Sequence, residues 1–210
     1  MQQLVWKDFF LQRKVFFLYL IFPIYCALKR STEPFQIAFV CFVTCGLMIA
    51  TSLQMEEKTE TDKLLISFPF VRKDIVIAKY ISSILFIGCG VIATLIIVIL
   101  PKILLGKAIY ISWYAIFIGV FLSALYAIMI LPLKYGSSKQ IVTIFGFIIM
   151  FPLISLLGLM CNVLGEERLM LMFFHSSNLV FIISMLSIGV CIAYFVSMLF
   201  SISVFQDREF

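Results

Sequence analysis

The chain has 210 residues, 63% of them hydrophobic and 13% charged, with a mean hydropathy of +1.15. So little polar surface cannot cover a fold that faces water on all sides, which excludes a soluble globular domain and points to an integral membrane protein. The formal net charge of +5 is read as the signature of membrane topology and not of a nucleic-acid surface.

The first fourteen residues, MQQLVWKDFFLQRK, put Trp6, Phe9 and Phe10 near one helical face, with Lys7, Asp8, Arg13 and Lys14 among them. That pattern predicts a short helix lying at the inner membrane surface; a plain topogenic anchor accounts for it equally well. Six apolar runs follow, at 15–28, 35–53, 80–100, 111–133, 141–163 and 176–205, and none contains Asp, Glu, Lys or Arg. The first is short: at about 1.5 Å per residue it covers roughly 21 Å of a hydrocarbon layer about 30 Å thick. Arg13, Lys14, Lys29 and Arg30 must therefore lay their stems along lipid and snorkel outward. No small-residue cleavage site precedes Lys29, so an uncleaved helix is expected.

Between the second and third runs lies a polar segment, 55–79, reading MEEKTETDKLLISFPFVRKDIVIAK. It carries ten of the chain's 16 basic and 11 acidic residues, and it is too short to fold around a core of its own. Lys58 and Asp62 at i,i+4 and Glu60 and Lys63 at i,i+3 favour a solvated helix. Leu64, Leu65, Ile66 and Phe68 follow and are costly to leave in water. A short amphipathic helix of this kind lies at the membrane face and fits into a groove on a cytosolic partner; an ordinary loop carrying topogenic charge is the other reading. Pro69 biases Phe68 toward extended geometry, and a new helix is expected to start around 72–74 and run into the third span.

Later in the chain, Pro132 and Pro152, like Pro23 earlier, fall inside apolar runs and are expected to kink their helices. Gly119 with Ser123, and Gly88 with Gly90, permit close helix approach. The loop 164–175, LGEERLMLMFFH, is acidic and then hydrophobic; it either dips into the outer interface or closes a turn. No internal repeat is found. All six cysteines lie in the runs, and Cys41 and Cys45 share a helix face. With no His or carboxylate in the runs to complete a metal site, apolar packing is the reading for them.

Orientation follows from basic residues. With the N-terminus inside, Lys7, Arg13, Lys14, Lys58, Lys63, Arg72, Lys73, Lys79, Lys134, Lys139 and Arg208 face the cytoplasm, against Lys29, Arg30, Lys102, Lys107 and Arg168 outside. That excess predicts cytoplasmic termini and a cytoplasmic 55–79 segment. An interior without ionisable groups argues against proton-coupled transport, since such groups are retained in membranes only for function at a cost of about 2.5 to 3.5 kcal/mol. Energy for any uphill movement is expected to enter from outside the bilayer. No H-E-x-x-H, G-x-S-x-G or G-x-x-x-x-G-K-[ST] pattern is present, and the sole histidine, His175, sits near the predicted outer edge of the last run. No catalytic, cofactor-binding or metal-ligating residue is assigned.

The stretch Glu56-Glu57-Lys58 through Asp62-Lys63-Leu64-Leu65, then Ser67-Phe68-Pro69-Phe70-Val71-Arg72-Lys73-Asp74 and Lys79-Tyr80, resembles the first cytoplasmic loop of small six-span ABC-2 type transporter permeases. Trp6-Lys7-Asp8-Phe9 is similar too; Val71 stands where that family usually has Ser or Thr. The subgroup it most resembles is the permeases of phenol-soluble modulin exporters. The resemblance implies an all-α polytopic protein, a single transmembrane domain over 1–210 with six transmembrane helices. It implies an interfacial segment at 1–14 and a short cytoplasmic coupling helix within 55–79. It implies a bacterial plasma-membrane exporter of hydrophobic or amphipathic peptides or toxins, powered by a separate cytosolic ABC ATPase subunit that binds the ATP. The permease would pair with a second copy, as a homodimer or with a sister permease, among membrane lipids. Contact with the ATPase is implied for Glu56, Glu57, Lys58, Asp62, Lys63, Leu64 and Leu65, and anchoring at headgroups or the partner for Arg72 and Lys73. The competing class is a non-transporting immunity factor or scaffold that binds a partner through the same loop.

Overall fold

The computed structural model describes residues 2–12, 34–58, 72–104, 113–136, 139–165 and 178–206. These form six helices: α1 (Gln2–Gln12), α2 (Pro34–Lys58), α3 (Arg72–Leu104), α4 (Trp113–Gly136), α5 (Lys139–Gly165) and α6 (Asn178–Gln206). Helices are what an apolar medium demands, because each backbone group finds its partner within its own segment. Pro34 opens α2 at the position where its missing N–H costs nothing. α3 starts at Arg72, with Asp74 in its first turn facing the positive end of the helix dipole. Thr44, Ser82 and Thr94 donate their hydroxyl protons to the carbonyls of Val40, Ala78 and Gly90 at 2.7, 2.9 and 2.8 Å. Each of those polar side chains is thereby satisfied without leaving its helix.

Among the described residues, four stretches are long and apolar enough to cross a membrane: Phe35–Glu56, Lys73–Ile99, Trp113–Gly136 and Ser184–Gln206. α5 contributes a shorter apolar stretch, Ile144–Leu159, and contains Pro152 as α4 contains Pro132. Of the six runs expected, the one at 15–28 lies outside the described residues. So do most of the 55–79 segment, including Asp62, Lys63, Leu64 and Leu65, and the loop residues 166–175 with His175.

α4 sits at the centre, packed against α2, α3, α5 and α6, while α1 lies across α2 and α3. The crossing of α2 with α4 is close because Gly119 lacks a side chain: a Cβ there would lie 2.7 Å from Cys41 Cβ and 2.9 Å from the Ala38 carbonyl oxygen. On α3, Gly90 does the same against the backbone of Cys45, whose Cα would be 3.2 Å from an added Cβ. Cys41 and Cys45 are both buried at these crossings. Gly88 plays no such part, since a Cβ there meets nothing within 4 Å.

α6 leaves most of its surface uncovered, with Met185, Ile188, Ile192, Phe195 and Phe200 exposed, as suits a lipid-facing helix. Hydroxyl groups fasten it. Tyr80 Oη of α3 lies 2.8 Å from both Ser197 Oγ and Ser201 Oγ. Ser197 donates its proton to the Ile128 carbonyl of α4 at 3.0 Å, so Tyr80 donates to Ser197 and Ser201 donates to Tyr80. Tyr194 donates to the Tyr80 carbonyl at 2.7 Å, and its ring meets that of Tyr80 edge-on at 5.1 Å.

Gly119→Ala is expected to lower stability by about 1–3 kcal/mol through overpacking, and Gly88→Ala to leave it unchanged. Thermal unfolding of both variants in the same detergent measures the difference.

Candidate functional site: a buried charge cluster

At one end of the bundle, α1, α2, α3 and α4 each continue a buried stripe into a charged residue. On α2 the buried positions Cys41, Cys45, Met48 and Ser52 lead at helical spacing to Glu56. On α3, Phe86, Ser82 and Ser83 lead to Lys79; on α4, Ser123, Ala127 and Leu131 lead to Lys134. α1 buries Leu4, Asp8 and Gln12, one turn apart along one face. The charges therefore converge because the same face that packs the apolar core carries them.

Glu56 is the hub. Its Oε1 accepts from Lys7 Nζ at 2.9 Å, its Oε2 is 3.0 Å from Lys79 Nζ, and Lys134 Nζ bonds the same Oε2. Lys79 also donates to Ser52 Oγ at 2.6 Å and pairs with Asp8 Oδ2 at 3.4 Å. Asp8 Oδ1 has Lys7 Nζ at 3.7 Å but no hydrogen bond. Asp8, Glu56 and Lys79 are 3%, 3% and 4% exposed, so these charges see each other and little water. Gln12 Nε2 donates to the Met48 carbonyl at 2.6 Å, a second tie between α1 and α2. Beside Asp8 a cavity of about 10 Å³ remains, bordered by the lysines, Glu56 and Tyr135, the room needed for one water molecule.

Burial pushes the Asp8 carboxyl above its usual value of 3.8; Lys79 opposes the rise, the Glu56 carboxylate adds to it, and Lys7 pulls weakly down. Lys134 also lies over the ring of Tyr135, 5.5 Å from its centroid, and that ring meets Phe205 of α6 edge-on at 5.1 Å. The cluster thus joins α1, α2, α3 and α4 directly and reaches α6 through an aromatic pair.

Glu56, one of the residues expected to contact an ATPase, has its carboxylate turned inward, where Lys7, Lys79 and Lys134 of three other helices converge on it. Two expectations are corrected here. The bundle is not free of ionisable groups, since Glu56, Lys79 and Lys134 lie within the stretches able to span a membrane; lysines counted as topogenic have their ammonium groups engaged inside. On α1, Trp6 and Phe10 are exposed at 74% and 68%, but Phe9 turns away from them and packs against Phe86 with ring centroids 5.0 Å apart.

Of the other residues singled out in the sequence, Glu57 and Lys58 are the last two positions of α2, Arg72 is the first of α3, and Lys73 is exposed beside it. Lys7, Asp8, Lys79 and Lys134 were not assigned to the site. The signal that finds them is phase: each lies at helical spacing from the buried residues of its own helix.

Residues 3–206 match the family described as ABC-2 family transporter protein. The chain belongs to that family. The match runs from the start of α1 to the end of α6, so α1 and the charge cluster are part of the family domain and not appendages. No curated protein and no solved structure gives a match. As an ABC-2 permease the chain is a multi-pass membrane component of a transporter.

Two predictions follow from this geometry. Glu56→Gln strips the shared counter-charge from three lysines and is expected to cost about 3–5 kcal/mol, as breaking a buried ion pair does; thermal unfolding of the permease checks it. An acid whose pKa is higher folded than unfolded favours the fold below 3.8 and loses that contribution as pH rises through the raised value. Asp8→Asn removes the titration, so unfolding followed upward from about pH 4 should show the parent losing stability relative to the variant.

Proposed function

We propose that this permease is the membrane subunit of an ATP-driven exporter, powered by a separate cytosolic ABC ATPase subunit that binds the polar segment between α2 and α3. Glu57, Lys58, Asp62, Lys63, Leu64 and Leu65 are the contact residues in this reading, with Arg72 and Lys73 anchoring the start of α3 at the headgroups. The supporting observation is the 3.0 Å pair between Glu56 and Lys79, which ties together the two stems of that segment. A push on the segment cannot be absorbed by its base. It passes through Glu56 and Lys79 to α1 by way of Lys7 and Asp8, and to α4 by way of Lys134.

The cargo in this reading is a hydrophobic or amphipathic peptide or toxin, in keeping with an interior built from Phe, Ile, Leu and Met. A second permease copy, identical or a sister chain, completes the pathway in a bacterial plasma membrane, with both termini in the cytoplasm.

Coexpression with an ATPase subunit and single cysteines at Leu64 or Leu65 tests the contact: crosslinks to the ATPase are expected, and crosslinks confined to the 164–175 loop would overturn both docking and orientation. Charge reversal at Glu57 together with Asp62 is expected to abolish export while membrane insertion continues. Cargo-stimulated ATP turnover in liposomes separates an exporter from a scaffold, which would bind the ATPase without it.

A further inference from the structure

A second cavity lies between α2, α4 and α5, on the stretch of α2 just before Glu56. Its volume is about 120 Å³, and its walls include Leu47, Ala50, Leu53, Ile130, Val142 and Met150. Cavities with apolar walls and about 150 Å³ of space stay dry and take a guest the size of benzene. This one differs in having a polar group within it. Tyr126 of α4 is 1% exposed, and no hydrogen bond is made by its phenol among the described residues. The phenol oxygen reaches the cavity wall at Gly146, where an added Cβ would lie 3.3 Å from it. Thr51, also on the lining, gives its proton to the Leu47 carbonyl at 2.7 Å and is left as an acceptor only. Gln54 is half-buried at the same cavity.

A buried tyrosine hydroxyl normally finds a partner, and here the partner has to come from whatever fills the cavity. One water, with a share of liquid volume of about 30 Å³, can bond the polar groups there but leaves most of the apolar wall without contact. We propose that the cavity is a binding site for a small amphiphile, with an apolar body of roughly six carbons and one hydroxyl or carbonyl oxygen that pairs with Tyr126 Oη. The site stands on the cavity and the phenol and does not depend on the export reading.

Photolabelling of the full chain in detergent with a six-carbon alkanol bearing a diazirine tests this, adducts being mapped by mass spectrometry. Adducts are expected on the segments around Leu47–Gln54 and Val142–Met150, and benzyl alcohol should suppress them about fivefold more effectively than toluene at equal free concentration, the worth of one hydrogen bond. In Tyr126→Phe the two competitors should become equal. Ala50→Phe, which fills the space, should remove the suppressible labelling, while adducts on exposed α6 residues such as Ile188 and Ile192 persist as the non-saturable background. Labelling that neither competitor suppresses, or a preference for benzyl alcohol that survives in Tyr126→Phe, would overturn the proposal.

Discussion

One carboxylate, that of Glu56, holds the arrangement of four helices at one end of the bundle. In lipid the apolar faces of helices gain little by meeting each other, because acyl chains are as apolar as leucine. Packing of small residues sets how closely α2, α3 and α4 approach, but it leaves their axial register weakly specified. A buried charge with three partners on three other helices specifies it strongly, since a shift of any helix by one turn leaves a charge unpaired at a cost of several kcal/mol. The ion cluster is thus better understood as a fixer of register than as a source of stability.

The position of α3 depends on two consecutive residues. Lys79 and Tyr80 are separated by about 100° around the helix axis, so that one looks toward α1 and α2 and the other toward α6. Lys79 enters the charge cluster; Tyr80 enters the hydroxyl ladder with Ser197 and Ser201. A single rotational setting of α3 satisfies both, and any other would strand one of them. α6, which buries little of itself, is held to the bundle by the Tyr80 side of this arrangement and by the contact of Phe205 with Tyr135.

The helices were legible in the sequence because long apolar runs in a membrane chain leave no other structure open to them, and the start of α3 at Arg72 was marked by Pro69 and the charges after it. The site was less legible. Lys7, Lys79 and Lys134 were read as charges facing water because they flank apolar runs, and a lysine in that position reaches equally well outward to headgroups or inward to a carboxylate. Composition cannot separate those outcomes; phase can, as the alignment of Glu56 with Ser52, Met48 and Cys45 demonstrates. Tyr126 gave no signal at all. In an apolar helix rich in aromatic residues, nothing local distinguishes a tyrosine whose hydroxyl meets a neighbour from one that meets a void.

Charges inside the bundle revive the question of whether the permease moves protons. A relay needs donors and acceptors that hand a proton onward along the membrane normal. Beyond the cluster, the buried hydroxyls of Thr44, Ser123 and Thr94 each spend their proton on a carbonyl of their own helix, and the Tyr80 ladder runs sideways to α6 and α4. Among the described residues the charges therefore form a closed set at one end, joined mechanically to the segment between α2 and α3. A joint of this kind suits the role proposed above, in which the power for transport is supplied by another chain.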